Sequence, residues 1–500
     1  MKKETRPNIV YIMNDHQAYY RHGWDGGVKP LTPNFDRLAE EGVRMENAYC
    51  ATPLCGPVRR TILNGLYAHA HGNYYNDSFQ PYDEESYLQV LHGEGYQNFY
   101  YGKWHAGPGT PQSDHKCGGF SCEHYGNPYI TKTYEEYLAD RGLEKARHRI
   151  DYNFSPEGHD MFFAHMEAGK EYACESAWCG EHAAGVTVTP KETHESFFLA
   201  NLACEKLDEL AKRDNGQPFH LRLDFWGPHQ PFFPTQEFLD LYNPEEIQVY
   251  GNHFDSLEDK PDVHRVDNNR QLSKDDQLIL PSALDWSKWQ EVLARAYAHQ
   301  TMIDAAGGMV LDKLKELGLD ENTIVIWTTD HGDALASHGG HFDKCSYMSE
   351  EVMRIPMAIR WPGVIESGQT CNELVSNLDM PVTMLSAAGT KFTSPVHGMD
   401  LLPLVKGQVS EWRDGMMCET YGHGYTERIL GRMYVKDGYK YVSFDGQMEE
   451  LYHLESDPYE MENLANQQEY ASIKRMMVEA LMEEQKRYGD PYKLRQPEAV

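Results

Sequence analysis

The sequence predicts an α/β protein: a large, mostly parallel central sheet flanked by helices, with a smaller C-terminal antiparallel sheet covered by a terminal helix. Two observations predict it. Strand patterns at residues 8–13, 97–101, 219–225 and 322–328, the first and last of them apolar runs, alternate with helical patterns at 34–41, 84–94, 193–212 and 287–317, which is the order of strand–helix–strand units. From about residue 405 the texture shifts to short strand patterns, with Asp437-Gly438 as a two-residue hairpin signal. The expected division is therefore 1–404 for the main domain and 405–500 for the C-terminal subdomain.

The first run, Asn8-Ile9-Val10-Tyr11-Ile12-Met13, is apolar throughout, as a parallel strand buried on both faces requires, and it ends on Asn14-Asp15-His16-Gln17. Thr32-Pro33 opens the helix at 34–41, and Gly42 stops it. A strand at 43–49 leads to Cys55-Gly56-Pro57-Val58-Arg59. Pro57 suits the first turn of a helix running to Gly65, so Cys55 falls at a helix N-terminus, where unpaired N–H groups favour negative charge. Arg59 adds a permanent cation one turn on.

The helix at 84–94 ends at Gly95, and the strand at 97–101 runs into Gly102-Lys103-Trp104-His105. Residues 106–190, rich in Gly, Pro, His, Tyr and Cys, show little periodicity and read as an irregular insert. The strand at 219–225 delivers Trp226-Gly227-Pro228-His229, and the acidic stretch at 235–285 reads as loops. Helical spacing over 287–317 contains Gly307-Gly308, a break or a close-packing point. The strand at 322–328 leads into Thr329-Asp330-His331-Gly332-Asp333. Residues 355–360 and 374–378 complete the expected parallel strands, with a helix at 380–388. Strands at 416–421, 428–435 and 439–444 and an amphipathic helix at 470–488 make up the C-terminal subdomain.

Five hundred residues with 40% hydrophobic content support one large core and a second, smaller one. No run approaches 18 apolar residues, and Met1–Pro7 passes directly into a strand pattern without a signal-peptide core, so the expectation is a cytoplasmic chain without a membrane partner. The net charge of −31 disfavours nucleic acid and anionic membranes, and favours a small ester over a long polyanion. Ten cysteines do not make a disulfide scaffold. Cys117 with Cys122, and Cys174 with Cys179, read as free thiols by default, with a structural zinc as the alternative.

Four expected strands thus end in ionisable groups: Asp15-His16, Lys103 with His105, His229, and Asp330-His331. Ligands of open α/β sheets gather outside the carboxyl ends of strands, so these groups are expected to share one crevice with Cys55. Each cluster alone is an ordinary turn or loop feature. Their joint occurrence is what carries weight.

The motifs Cys55-x-Pro57-x-Arg59, Gly65-Leu66-Tyr67, Gly102-Lys103-Trp104-His105, Pro228-His229, Thr329-Asp330-His331-Gly332 and Lys344, with Thr32-Pro33-Asn34 and the tail Glu450-Leu451-Tyr452, occur in one order along the chain. In that order the sequence resembles the type I, formylglycine-dependent sulfatases of the alkaline phosphatase superfamily. Val58 stands where the family usually has a small residue.

The resemblance implies a sulfuric ester hydrolase, and it implies that a formylglycine-generating maturation enzyme oxidises Cys55 to an aldehyde whose hydrate is the nucleophile. It places Asp15, His16, Cys55, Asp330 and His331 around one divalent metal, Ca²⁺ by family habit. Relatives often carry Asp or Gln where His16 stands; two imidazoles would shift the preference toward Mn²⁺, unless His16 turns away from the ion. Arg59 and Lys103 correspond to residues that hold the nucleophile and the sulfate, and His105 to the base that releases sulfate. His229 and Lys344 correspond to residues that bind the ester oxygen and protonate the leaving group, and Asn76 to a substrate-pocket residue. The substrate expected is a small sulfate ester of a carbohydrate, aryl or alkyl alcohol. Two alternatives are a phosphonate monoester or phosphodiester hydrolase on the same site, and an inactive binding protein on the same scaffold.

Overall fold

The structure, a computed structural model, describes residues 6–19, 27–76, 78–153, 167–173, 183–213, 216–265, 273–274, 277–278, 285–341, 343–344, 347–423 and 429–493. Its centre is an eight-stranded sheet of β1 (Asn8–Asp15), β2 (Val43–Tyr49), β3 (Gln97–Lys103), β4 (Cys117–Cys122), β5 (Phe219–Pro228), β6 (Thr323–Thr329), β7 (Met357–Arg360) and β8 (Gln369–Ser376). The strands lie in the order β8-β2-β7-β6-β1-β5-β3-β4. β6, β1, β5, β3 and β4 run parallel, as do β8 and β2.

β7 is antiparallel to both its neighbours, which corrects the expectation of a parallel strand at 355–360. Met-Ala-Ile-Arg is apolar enough to be buried, but a four-residue apolar run carries no signature of direction.

Alternate residues of β1 face opposite layers. Ile9, Tyr11 and Met13 join one core with Ile324 and Ile326, while Val10 and Ile12 join another with Leu221, Leu223, Val325 and Trp327. Both faces are covered, which is why the strand reads as a continuous apolar run. The covering helices include Pro33–Glu40, Cys55–Asn64, Tyr87–Gly93, Glu195–Ala211, Trp286–Glu316 and Asp379–Ala387. Trp286–Glu316 is unbroken at Gly307-Gly308, where a Cβ would stand 2.4 Å from the Trp327 ring and 2.3 Å from Asn34. Of the two expected readings, close packing is the observed one.

The stretch at 106–190 is more ordered than its composition suggests. It supplies β4 at the sheet edge, the helix Lys132–Arg141, and the strands Arg147–Asn153, Glu171–Ala173 and Ala183–Thr187 of a small antiparallel sheet. Cys117 and Cys122 are free thiols; Cys174 and Cys179 lie outside the described residues, and with them the zinc alternative.

Beyond residue 405, Gly415–Thr420, Gly431–Lys436, Tyr439–Phe444 and Glu450–His453 form an antiparallel meander. Asp437 (φ 51°) and Gly438 (φ 76°) make its hairpin turn, with positive φ at both central positions. The helix Ala471–Tyr488 buries Met477 and Leu481 on this sheet. The fourth strand was not expected, and the start of the expected strand at 428–435 lies outside the described residues. Among the described residues no helix is long and apolar enough to cross a membrane.

Candidate active site

Because β6, β1, β5 and β3 are neighbours and parallel, their carboxyl ends bring Asp330, Asp15, His229 and Lys103 to one edge of the sheet. Cys55 arrives from the side as the first residue of the helix Cys55–Asn64, which Gly65 ends in the left-handed conformation. Its Sγ lies 3.0 Å from His331 Nε2 and 3.7 Å from Asp15 Oδ1. One ligand-type atom from each of Asp15, Cys55, Asp330 and His331 lies within 4.8 Å of the others, and all four residues are buried.

The start of the Cys55 helix is fixed by contact. A Cβ on Gly56 would stand 2.9 Å from Asn76 Cα and 3.2 Å from the His105 carbonyl oxygen, so only glycine fits there without displacement. The Gly56 N–H donates to Asn76 Oδ1 at 2.8 Å. Asn76, expected to line the substrate pocket, thus satisfies one of the unpaired N–H groups of the helix that carries residue 55.

Cations are woven between the carboxylates. Arg59 Nε donates to Asp330 Oδ2 at 3.0 Å, its Nη1 donates to the Lys103 carbonyl at 3.0 Å, and its Nη2 lies 3.7 Å from Asp15 Oδ1. Lys103 Nζ contacts Asp15 Oδ2 directly and stands 4.0 Å from the centre of the Tyr125 ring. Lys344 Nζ donates to Asp343 Oδ1 at 2.9 Å. His229 Nδ1 lies 2.7 Å from the carbonyl of Gln230; a carbonyl only accepts, so the ring proton is on Nδ1. The same argument applies to His331, whose Nδ1 donates to the Gly332 carbonyl at 2.9 Å and leaves the Nε2 lone pair facing residue 55.

His16 is placed differently from the others. Its φ of 66° lets its backbone N–H donate to Asp330 Oδ1 at 2.9 Å, while its Nε2 turns to Asp343 Oδ1 at 3.2 Å and Asp333 Oδ2 at 3.7 Å. Its ring stands 4.7 Å from that of His229, and it is not one of the four clustered ligand groups. His105 has its ring 5.4 Å from Tyr125 and its carbonyl against Gly56.

Burial and mutual fields set the charge states. Burial, with Asp330 beside it, pushes Asp15 up to about 6 against the pull of Lys103 and Arg59. Burial also opposes ionisation of Asp330, but His331, Arg59 and Lys103 outweigh it and hold this carboxyl well below the usual range. Burial drives His331 down to about 4 and holds His16, His105 and His229 well below the ordinary imidazole value, with nearby lysines adding to the effect. Burial pushes the Cys55 thiol up to about 12. Burial opposes the charge of Lys344, yet Asp343 more than restores it.

Several supporting residues escaped the sequence reading. Asp224 on β5 accepts from Arg59, from Tyr100 at 2.7 Å and from Arg222 in a two-bond fork. Its only signal was the charged alternation Arg222-x-Asp224 inside an otherwise apolar run. Asn377 Nδ2 donates to the Asp330 carbonyl at 2.9 Å while its Oδ1 accepts from Ala51 N, tying β6 to the chain entering the Cys55 helix.

Comparison with known proteins places this sheet, with its cluster of buried carboxylates and cations at the carboxyl edge, in the sulfatase / alkaline phosphatase superfamily of hydrolases. The chain matches the sulfatase family over residues 7–390, and the C-terminal part of N-sulphoglucosamine sulphohydrolase over residues 337–487. It belongs to the sulfatase family and is a sulfatase enzyme.

Among its relatives, an N-acetylglucosamine-6-O-sulfatase of Bacteroides thetaiotaomicron is 26% identical, covering 98% of this chain and 88% of that protein. An arylsulfatase of Clostridium perfringens is 27% identical, covering 98% and 97%. The fold matches a solved structure in complex with its substrate D-glucosamine-2-N,6-O-disulfate (TM-score 0.70, 23% identity, 97% and 99% covered). It also matches the phosphonate monoester hydrolase of Agrobacterium radiobacter (TM-score 0.76, 19% identity, 97% and 96% covered).

Proposed function

We propose that this sulfatase cleaves the sulfate ester of a small sugar, with residue 55, converted from cysteine to formylglycine by a maturation enzyme, as its nucleophile. The observation that carries this reading is the position of Cys55: first residue of a helix, 3.0 Å from His331 and 3.7 Å from Asp15, where clustered carboxylates and cations meet at the carboxyl edge of the sheet. The sugar is suggested by the names of the relatives and by the aromatic wall that Tyr125 forms beside Lys103 and His229, with ring centres of Tyr125 and His229 5.5 Å apart.

The residues present fit a divalent cation. Two buried carboxylates, a neutral imidazole with Nε2 turned inward and residue 55 offer converging donors, and Asp15, His331, Asp330 and residue 55 would hold the ion, with His16 outside the set. When bound, the cation polarises a sulfate oxygen and lowers the pKa of the hydroxyl on residue 55. The His331 nitrogen moves the donor set from one suited purely to Ca²⁺ toward one that also accepts Mn²⁺.

Around this centre the chain supplies the remaining chemistry. Arg59, anchored by Asp330 and Asp224, and Lys103 keep positive charge where the sulfuryl oxygens bind, which stabilises the charge spread in the transition state. His105 is neutral and stands ready to accept the proton released as sulfate departs. His229 carries its proton on Nδ1, bound to Gln230, so its Nε2 accepts. Lys344 is then the member of the pair with a proton to give to the leaving oxygen.

The test compares turnover of an N-acetylglucosamine 6-sulfate, an aryl sulfate and an aryl phosphonate by the matured enzyme. Faster hydrolysis of the sugar and aryl sulfates is expected; a large preference for the phosphonate would assign the site to phosphonate monoesters instead.

A further inference from the structure

One aromatic residue on the rim of the site is exposed and yet held in place. Phe79 is 76% exposed, while the chain on either side of it is bonded to the helix that carries residue 55. On one side Asn76 Oδ1 accepts from the Gly56 N–H at 2.8 Å. On the other, the buried Arg60 donates through Nη1 to the Gln80 carbonyl at 2.9 Å and through Nη2 to the Pro81 carbonyl. A short loop anchored at both ends has little freedom left to lose when a ligand settles on it.

The Phe79 ring is also continuous with the wall of the site. It packs edge-to-face on His124, with ring centres 5.6 Å apart and planes at 73°. Next in sequence to His124 is Tyr125, whose ring centre lies 4.0 Å from Lys103 Nζ, 5.4 Å from the His105 ring and 5.5 Å from the His229 ring. The His124 carbonyl accepts from the His105 N–H at 3.1 Å, and the chain turns there with φ at 54°. From the cation at the sulfate position outward, the order is therefore Lys103, Tyr125, His124 and Phe79.

A single exposed apolar side chain is ordinary on a protein surface. Phe79 differs in being fixed to the nucleophile helix and joined, ring to ring, to the wall beside His229. Resting on the sugar-sulfate reading above, we propose that Phe79, backed by His124, is the platform for a second, uncharged sugar ring, so that the preferred substrate is a sulfated oligosaccharide of at least two units. The sulfate-bearing ring would lie beside Tyr125 and His229, and its neighbour would meet Phe79. The C–H face of a pyranose is apolar and weakly positive, which suits the negative face of a phenyl ring. The contact with His124 steadies the ring and leaves most of it open. The net charge of −31 favours a neutral second ring over one that carries a further sulfate or carboxylate.

The test measures KM and kcat of the matured enzyme on N-acetylglucosamine 6-sulfate and on di-N-acetylchitobiose bearing one 6-sulfate, with the ester on either ring. Wild type is expected to show a KM roughly three- to tenfold lower for one of the disaccharides than for the monosaccharide. Phe79→Ala is expected to erase that difference by raising the disaccharide KM, with kcat on it changed less than about twofold. Phe79→Trp is expected to preserve the difference, because a larger ring offers the same face. An exposed ring contributes no core packing, so the alanine variant keeps its fold. Equal KM values for the mono- and disaccharides in wild type, or a difference that survives Phe79→Ala, overturns the platform and leaves the sugar-sulfatase reading standing. Failure to turn over any of the three sugar sulfates overturns both.

Discussion

Arg59 Nη1 lies 3.1 Å from Asp224 Oδ2, and the same carboxylate is gripped by both arms of Arg222. All three side chains are buried, so Asp224 is the shared counter-ion of two guanidinium groups beneath the site. Removing one partner of a buried pair leaves an uncompensated charge. Asp224→Ala is expected to lower stability by about 3–5 kcal/mol in urea unfolding, and Asp224→Asn by less. An alanine variant as stable as the parent would show that Arg59 does not depend on this carboxylate.

Asn76 reaches residue 55, the proposed nucleophile, through the backbone of Gly56. Replacing it by alanine removes the acceptor of the Gly56 N–H and is expected to cost about 1 kcal/mol. The misplaced residue 55 should lower kcat several-fold with KM little changed. A change confined to KM would restore Asn76 to the substrate pocket.

Lys344 is assigned the leaving-group proton, and that role has a signature. General acid catalysis contributes about 10²–10⁴-fold and matters most when the leaving oxygen is basic. Lys344→Met should therefore slow a sugar sulfate by at least a hundredfold and a nitrophenyl sulfate by roughly tenfold or less. Equal losses on both substrates would mean that Lys344 binds and does not donate.

Away from the site, His338 sits between Asp255 (3.1 Å) and Glu351 (3.4 Å). Burial works against its charge, but Glu351 and Asp255 raise it to about 9. A pKa raised on folding contributes stability in full below the unfolded value near 6.5, and the contribution is lost as pH climbs through 9. The stability difference between wild type and His338→Gln should be largest near pH 6, on the order of 3 kcal/mol, and shrink by pH 10. A pH-independent difference would mean that the histidine is neutral throughout.

Much of the fold was legible because strand and helix patterns alternate and β1 and β6, buried on both faces, spell out as apolar runs; β1, β2, β3, β5 and β6 fall within a few residues of their expected positions. β4 was hidden because Cys-Gly-Gly-Phe-Ser-Cys contains Gly119 at φ 103° and lies at an edge, where packing does not force a hydrophobic run. The direction of β7 was invisible because pairing polarity depends on the connections and not on the residues of a short strand.

At the site, Asp15, Cys55, Lys103, His229 and Asp330 were recognisable at strand and helix ends, and the structure gathers them. What the sequence could not show was the turn of His16 toward Asp343, set by a positive φ, or the engagement of Asn76 by a backbone amide.

The central claim concerns residue 55, and its most direct measurement pairs the mass of the peptide spanning that residue with specific activity on an aryl sulfate, across samples matured to different extents. Activity is expected to rise in proportion to the fraction carrying the aldehyde and to vanish in Cys55→Ala while the fold is kept. Full activity in protein whose residue 55 is entirely cysteine would contradict the account.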